Sequence, residues 1–155
     1  MSEPIWLPER AVYIIHDRQI ARHGGASGLR DSGLLTSALQ RPINKLQYEE
    51  AGLFKCAAAY AYGIAKAHAF VDGNKRTAFV SGATFLRLNG WHFQTEPAEG
   101  VEFMECLASD AISEEKFWVW LKHGSAQIVK FQRLKPSDMP RVQEFQMCLQ
   151  ILYYC

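Results

Sequence analysis

One short stretch near the middle of the chain, HAFVDGNKRTA (His68–Ala78), holds an unusual density of side chains that can do chemistry. It contains a histidine, an aspartate, a lysine and an arginine, together with a Gly-Asn pair that is typical of turns. The runs on either side, AAAYAYGIAKA and FVSGATFLRL, are both typical of helices. A turn between two helices needs the glycine and the asparagine but not the titratable side chains. The stretch is therefore a candidate functional loop.

The second half of this loop is suited to bind phosphate. Asn74 is expected to cap the following helix, whose first turn exposes backbone N–H groups at the positive end of the helix dipole. Gly73 lets an anion approach the backbone, and Lys75 and Arg76 add two positive side chains. Cations in a first helical turn oppose the dipole, which destabilises the helix slightly. A bound anion is therefore expected to supply the balance.

The first half of the loop supplies a metal ligand and a base. Asp72 suits Mg²⁺, which usually takes one or two carboxylates plus phosphate oxygens and water. His68 can act as a general base toward a hydroxyl, and Phe70 is expected to anchor the loop by burying its ring. Each residue taken singly also has an ordinary structural explanation, such as a packed ring, a turn or a solvated cation. Their succession in one loop predicts a site for phosphoryl or nucleotidyl transfer. The GxxxxGK[ST] spacing of a P-loop is absent, and so is the spacing of an EF-hand.

The elements that must position this loop are predicted to be helices. Strand signals are few, and WHFQ (residues 91–94) is a short extended piece. The predicted fold class is all-α, a compact six-helix bundle with the active loop between helices three and four. The boundary signals are Pro8 and Gly24-Gly25 for helix one, Asp31 or Ser32 and Pro42 for helix two, Glu49 and about Ala67 for helix three, Asn74 and Leu88 for helix four, Thr95 or Pro97 and Ala111 for helix five, and Ser113 and Gly124 for helix six.

The length and composition limit the alternatives. A chain of 155 residues fits one compact domain. We predict a catalytic domain over residues 1–124 and a helical C-terminal extension over residues 125–155. The extension ends in an apolar cluster, Ile151–Cys155, that either packs on the domain or exposes a surface for a partner.

Charge and cysteine usage favour a cytoplasmic protein. A net charge of +1 offers no basic footprint for nucleic acid or a membrane surface. The four cysteines form no CxxC pair, and the N-terminus lacks the pattern of a signal peptide. The longest apolar run is interrupted by Lys55 and Lys66, which favours a core helix over a membrane span.

The loop resembles the signature of the Fic/Doc superfamily, HxFx[DE]GN[GK]R, and its NKRT ending resembles the Doc (death-on-curing) branch. A second stretch, GLRDSGLLTSALQRP (Gly28–Pro42), is similar to the corresponding stretch of Doc-like proteins. The resemblance covers about residues 5–123. It implies that His68 deprotonates a target hydroxyl and that Asp72 holds Mg²⁺. It further implies that nucleotide phosphates are bound by Gly73, Asn74, Lys75 and Arg76.

Two departures from the Fic pattern bear on the reaction. Fic enzymes usually transfer AMP from ATP, whereas Lys75 stands where such members carry a glycine and Phe79 stands where they carry a second arginine. Both departures match the Doc branch, whose members resemble kinases that pass on the γ-phosphate of ATP. A lysine is a compact charge that can follow a migrating phosphoryl group.

The resemblance implies a toxin of a type II toxin–antitoxin system. Such a toxin would be a Mg-ATP-dependent protein kinase that modifies a hydroxyl of an EF-Tu-like translation factor and arrests protein synthesis. Its expected partner is a Phd-like antitoxin whose C-terminal segment folds into a groove on the toxin. No direct nucleic-acid or membrane partner is expected. AMP transfer to a protein hydroxyl and a catalytically silent binding module stay open as alternatives.

Two further stretches have weaker functional signals. Arg30 and Asp31 either dock the target segment over His68 or pair locally and cap helix two. The hexapeptide from Thr95 to Gly100 matches the [ST]xxxE[GN] pattern of Fic inhibitory helices. The usual partner of the inhibitory glutamate is replaced by Phe79, so we expect this match to be fortuitous.

Overall fold

A computed structural model describes residues 3–128, which form six helices and a two-stranded antiparallel sheet. The all-α prediction, with the loop between helices three and four, is confirmed. The elements are α1 (Glu9–His23), α2 (Ser32–Glu49), α3 (Leu53–Ala67), α4 (Asn74–Leu88), β1 (Trp91–Phe93), α5 (Pro97–Ala108), α6 (Glu114–His123) and β2 (Ser125–Gln127).

Helix α3 is the central helix and packs against α2, α4 and α6. Its alanines and Gly63 are small enough to let neighbouring backbones approach closely. On α4, a Cβ at Gly82 would lie 3.0 Å from the carbonyl oxygen of Ala57, so only glycine fits there without a shift. Because α3 and α4 flank the candidate loop, this close contact fixes the position of both its ends.

The predicted end of helix two at Pro42 is wrong, because α2 continues to Glu49. A proline inside a helix removes the hydrogen bond to the carbonyl four residues earlier, here that of Ala38. That carbonyl lies against α3, where a Cβ at Gly63 would be only 3.1 Å from its oxygen. Pro42 itself is buried. Tertiary packing on α3 therefore outweighs the helix-breaking tendency of proline.

The extension of α2 also moves the predicted start of helix three. Glu50 adopts a left-handed conformation, with φ of 47°, and Gly52 is the N-cap of α3. Helix one begins at Glu9 with Pro8 as its N-cap, one residue later than predicted. Helix five ends at Ala108 rather than Ala111, since Asp110 turns the chain with φ of 61°.

The predicted caps of helices two and six are confirmed, whereas that of helix four is wrong. The Asp31 side chain accepts from the Leu34 N–H, and the Ser113 hydroxyl accepts from the Lys116 N–H. At α4 the N-cap is Gly73 in a left-handed conformation, with φ of 74°, and Asn74 is the first helical residue.

The start of the predicted C-terminal extension contacts the helical domain. β2 pairs antiparallel with β1, with Trp91 opposite Gln127 and Phe93 opposite Ser125. The helix predicted for the rest of the extension lies outside the described residues. Within residues 3–128, no helix has the length and apolar character needed to cross a membrane.

Candidate functional site

The loop between α3 and α4, residues 68–73, is called here the motif loop. His68 is the C-cap of α3 and adopts a left-handed conformation, with φ of 48° and ψ of 38°. Its side chain is exposed, and no hydrogen bond or ion pair to it occurs within residues 3–128. The next two residues, Ala69 and Phe70, are buried. The motif loop thus presents an accessible imidazole while its own apolar side chains anchor it in the core.

Asn74 holds the motif loop closed from the α4 side. Its side-chain oxygen accepts from the Phe70 N–H at 3.0 Å, and its amide nitrogen donates to the Phe70 carbonyl at 2.9 Å. Both polar atoms of the side chain are therefore used within the loop. Asn74 can serve a phosphate through its backbone N–H, but its side chain acts on the loop.

The N-terminus of α4 is open in the manner expected for an anion site. The Thr77 N–H donates to the Gly73 carbonyl at 2.9 Å and begins the intrahelical pattern. The N–H groups of the first three helical residues have no preceding carbonyl within the helix. No side chain caps these groups, and the helix dipole favours negative charge there.

Asp72 lies at the edge of this terminus with a half-exposed carboxylate. Its Oδ1 accepts from the Gly73 N–H at 2.6 Å, which aims the carboxylate toward the start of α4. A Cβ at Gly25 would overlap Oδ2, so only a glycine fits beside that oxygen. Residues 3–128 contain no cluster of three or more metal-ligating side chains. One carboxylate beside a phosphate cradle fits Mg²⁺, which completes its shell with phosphate oxygens and water.

Arg76 lies next to Asp72 but is largely engaged by the main chain of α1 and the turn after it. One guanidinium nitrogen donates to the Gly24 carbonyl at 2.9 Å, and the other donates to the Gln19 carbonyl at 3.3 Å. The distance from Arg76 Nη2 to Asp72 Oδ1 is 3.9 Å. The predicted phosphate-binding arginine therefore also joins α4 to the end of α1.

Lys75 is exposed and points toward α5, where its ammonium lies 2.6 Å from Glu105 Oε2. Both side chains are about half exposed, so the pair is screened by water and contributes little stability. Lys75 is thus available to exchange Glu105 for a phosphate. Nothing in the sequence pointed to Glu105, because it lies 30 positions away on another helix.

The sequence interpretation also missed His16, which lies beneath the motif loop. The imidazole is 2% exposed and its Nε2 lies 3.0 Å from the carbonyl oxygen of Asp72. Its ring stacks on Phe70 with the centroids 3.9 Å apart. The available signal was a polar residue on the buried face of α1, in helical register with Val12 and Gln19.

Arg30 and Asp31, which were predicted either to dock a target or to pair and cap helix two, have different environments in the structure. Asp31 caps α2, whereas the Arg30 side chain is exposed and makes no hydrogen bond or ion pair within residues 3–128. Their segment runs antiparallel to the motif loop, with the Arg30 N–H donating to the Ala69 carbonyl at 2.7 Å. The backbone therefore supports the loop, and the Arg30 side chain is left toward solvent.

The apparent inhibitory segment makes other contacts. Glu99 accepts from the Thr95 hydroxyl at 2.7 Å and from the Trp120 indole N–H at 3.2 Å. Phe79 packs edge-on to Phe93, with centroids 6.0 Å apart. Glu99 is therefore paired away from the motif loop, and Phe79 fills an aromatic cluster.

A comparison with known protein families matches the region that contains the motif loop. A sequence model of the Fic/DOC family matches residues 6–86, more than half of the 155-residue chain. The chain belongs to the Fic/DOC family. The match includes α1, the motif loop and nearly all of α4. The matched region therefore contains every candidate site residue from His68 to Arg76.

Two relatives within this family are similar over part of their length. "Protein kinase doc" of Escherichia phage P1 is 40% identical over 84 residues, which cover 54% of this chain and 66% of the relative. "Toxin Doc" of Mycolicibacterium smegmatis (strain ATCC 700084 / mc(2)155) is 45% identical over 69 residues, which cover 43% of this chain and 53% of the relative. The chain therefore spans less than two thirds of the length of either relative.

Proposed function

We propose that this Fic/DOC protein is a toxin that transfers the γ-phosphate of ATP to a hydroxyl of a translation factor. The observation that carries the proposal is the order of groups along one short loop. An exposed histidine, a carboxylate and an open helix N-terminus follow one another at His68, Asp72 and Gly73. Such a set provides a base, a metal ligand and a phosphate cradle.

His68 acts first, as the base of the transfer. A free ring nitrogen of His68 accepts the proton of the target hydroxyl as the oxygen forms its bond to the γ-phosphorus. The bond between that phosphorus and the β,γ-bridging oxygen breaks, and ADP leaves with the electron pair. Positioned general bases of this kind contribute roughly 10²–10⁴-fold to a rate.

The start of α4 binds and orients the nucleotide. The backbone N–H groups of the first helical turn hold phosphate oxygens, and Arg76 adds positive charge while anchored to α1. Asp72 would hold Mg²⁺, which when bound neutralises phosphate charge. Lys75 leaves Glu105 to follow the phosphoryl group as it moves.

Phosphate transfer is favoured over AMP transfer by two side chains. Lys75 occupies the place where a glycine would leave room for phosphates, and Phe79 is packed against aromatic rings instead of offering a second guanidinium. The name of the phage P1 relative, a protein kinase, supports the same choice.

The biological setting is proposed from the relatives. One of them is named a toxin, which supports growth arrest as the outcome of the reaction. We propose an EF-Tu-like factor as the protein substrate, a Phd-like antitoxin as the partner that restrains the enzyme, and the cytoplasm as its location.

The decisive experiment uses ATP labelled at either the γ or the α position. The purified protein is incubated with Mg²⁺, EF-Tu and each labelled nucleotide, and labelled EF-Tu is recovered. We expect label from the γ position only. Label from the α position alone would establish AMP transfer, and no label from either would support a silent binding module.

A matched pair of variants tests the role of Lys75 in the same assay. Lys75→Met should lower kcat by about a hundredfold, the usual effect of removing one donor to transition-state charge. Glu105→Gln breaks the same ion pair but keeps the lysine, and its rate should stay within about threefold of the wild type. Equal losses in both variants would assign the effect to the ion pair instead.

A further inference from the structure

The buried imidazole of His16 contacts the motif loop at Phe70 and Asp72 and lies near Gly73. Its ring lies parallel to that of Phe70, with an interplanar angle of 7°. Its Nε2 lies 3.0 Å from the carbonyl oxygen of Asp72. Gly73 lies near the ring as well, since a Cβ added there would stand 3.7 Å from its Cδ2. No other side chain of α1 combines these contacts with such complete burial.

The hydrogen bond to Asp72 has only one possible direction. A carbonyl oxygen accepts and cannot donate, so Nε2 must carry the hydrogen. A buried polar ring destabilises a protein unless it is hydrogen-bonded, and this carbonyl is the partner of Nε2. Nδ1 lies 3.4 Å from Asp17 Oδ1, a long contact to a carboxylate that is 76% exposed. The bond to Asp72 is therefore the specific one.

The carbonyl of Asp72 and the N–H of Gly73 belong to one planar peptide unit and point in opposite directions, so a bond that holds the carbonyl also holds the N–H that donates to Asp72 Oδ1. The carbonyl is turned inward to His16, while the side chain is 52% exposed and turned outward. The same peptide unit leads into Gly73, whose left-handed conformation opens α4. A rotation of this peptide would turn the Gly73 N–H away from Asp72 Oδ1 and change the backbone angle at which Gly73 enters the helix.

We propose that His16 is a positioning residue for the magnesium and phosphate site. It acts through Asp72 and contacts neither the metal nor the nucleotide. A phenylalanine could fill the space and stack equally well, so the feature specific to histidine is the Nε2–H donor. The proposal rests on the proposed function insofar as Asp72 is the metal ligand, and groups that hold a metal's ligands commonly alter its affinity.

The test compares variants that separate the donor from the ring. His16→Phe keeps the stacked ring and removes the donor, whereas His16→Gln keeps a donor at similar reach and removes the ring. Ile15→Val, at another buried position of α1, is the control for loss of packing alone. His16→Asn, whose amide is too short to reach the carbonyl, takes the place of His16→Phe if that variant does not fold.

Two readouts are measured on the full chain, with thermal melting to confirm folding. The first is hydrogen exchange of the Gly73 amide in metal-free protein, since this amide donates to Asp72 Oδ1. The second is affinity for Mn²⁺ in the presence of ADP, followed by electron paramagnetic resonance. We expect His16→Phe to exchange faster at Gly73 and to bind Mn²⁺ about tenfold more weakly. We expect His16→Gln to stay close to the wild type in both.

Wild-type exchange and affinity in His16→Phe would overturn the proposal, as would an equal loss in Ile15→Val. If the wild type itself bound no Mn²⁺ with ADP, the proposed function would fail. The exchange rate of the Gly73 amide would then still decide whether His16 fixes the conformation of the motif loop.

Discussion

At the scale of single residues, the polar side chains between His68 and Arg76 differ in the groups that they contact. Asn74 is bonded to the backbone of Phe70, and Arg76 is bonded to the carbonyls of Gln19 and Gly24. The His68 side chain is exposed and has no such bond within residues 3–128. A substitution at His68 should therefore separate chemistry from folding, which a substitution at Arg76 would not.

His68→Asn should abolish growth arrest and lower the transfer rate by roughly 10²–10⁴-fold while leaving the protein folded. Asparagine is preferable to alanine because His68 has φ of 48°, a conformation that asparagine tolerates. Label transfer and thermal melting are measured side by side.

The control for this variant is His23→Asn, at the last residue of α1. It removes a histidine outside the motif and should keep both activity and melting temperature. Wild-type transfer by His68→Asn would contradict the assignment of His68 as the base.

At the scale of elements, the junction of α4 and β1 contains a second histidine with a defined environment. His92 on β1 lies beside Arg87 in the last turn of α4, with Nη1 of the arginine 2.7 Å from Nδ1 of the histidine. Since a guanidinium only donates, Nδ1 accepts and the neutral ring carries its hydrogen on Nε2. Burial and then the charge of Arg87 lower the pKa of His92 below its ordinary range.

This lowered pKa predicts a loss of stability in acid. Below about pH 6.5, the ordinary pKa of histidine, the unfolded chain takes up a proton at His92 more readily than the folded chain. The free energy of unfolding should therefore fall as the pH falls from about 6.5 to the lowered folded pKa, and change no further from this cause below it. Chemical denaturation at a series of pH values measures the slope.

His92→Asn is the matched variant, because its side-chain oxygen replaces Nδ1 as an acceptor and does not titrate. It should show a smaller loss over the same pH window than the wild type. Arg87→Met should keep part of the dependence, since burial is the larger cause of the lowered pKa. Identical slopes in the wild type and His92→Asn would contradict the prediction.

At the scale of the whole molecule, β2 extends the domain beyond the end of the sixth helix. The Ile128 N–H donates to the Gly90 carbonyl at 2.8 Å, and the Ser125 hydroxyl donates to the Leu121 carbonyl at 2.6 Å. A chain ending at Gly124 should therefore be less stable than one ending at Ile128, by about 2 kcal/mol for the lost hydrogen bonds. Denaturant unfolding of the two truncated proteins measures the difference.

The chain that ends at Ile128 should retain label transfer, because every contact of the motif loop described above lies within residues 3–128. Lost transfer with unchanged folding would give the removed segment a role in catalysis. Equal stability of the two truncated chains would contradict the contribution of β2.

Local signals predicted the fold well where one residue decides a boundary. Asp31 and Ser113 cap their helices as expected, since a cap depends only on its own first turn. Pro42 and Asn74 failed because distant contacts decide their roles. Pro42 is accommodated inside α2 by packing on α3, and the Asn74 side chain turns back to Phe70.

The candidate site shows the same contrast between residues placed by local sequence and residues placed by distant contacts. The residues of the motif are adjacent in the chain, so the sequence could propose them as one group. His16 and Glu105 reach the motif across 56 and 30 positions respectively. Only the packing of α1 and α5 around α4 brings them there, and no local pattern encodes such a distance.

The contacts of Arg76 affect how degenerate members of this family can be recognised. Because Arg76 ties α4 to α1 through two main-chain carbonyls, a copy that had lost its chemistry would still be stabilised by this arginine. The same holds for Asn74, which closes the loop. Intact Asn74 and Arg76 are thus weak evidence that a copy is still an active enzyme. The His68 side chain makes no stabilising contact of this kind, so a retained histidine at this position is the more informative sign of selection for activity.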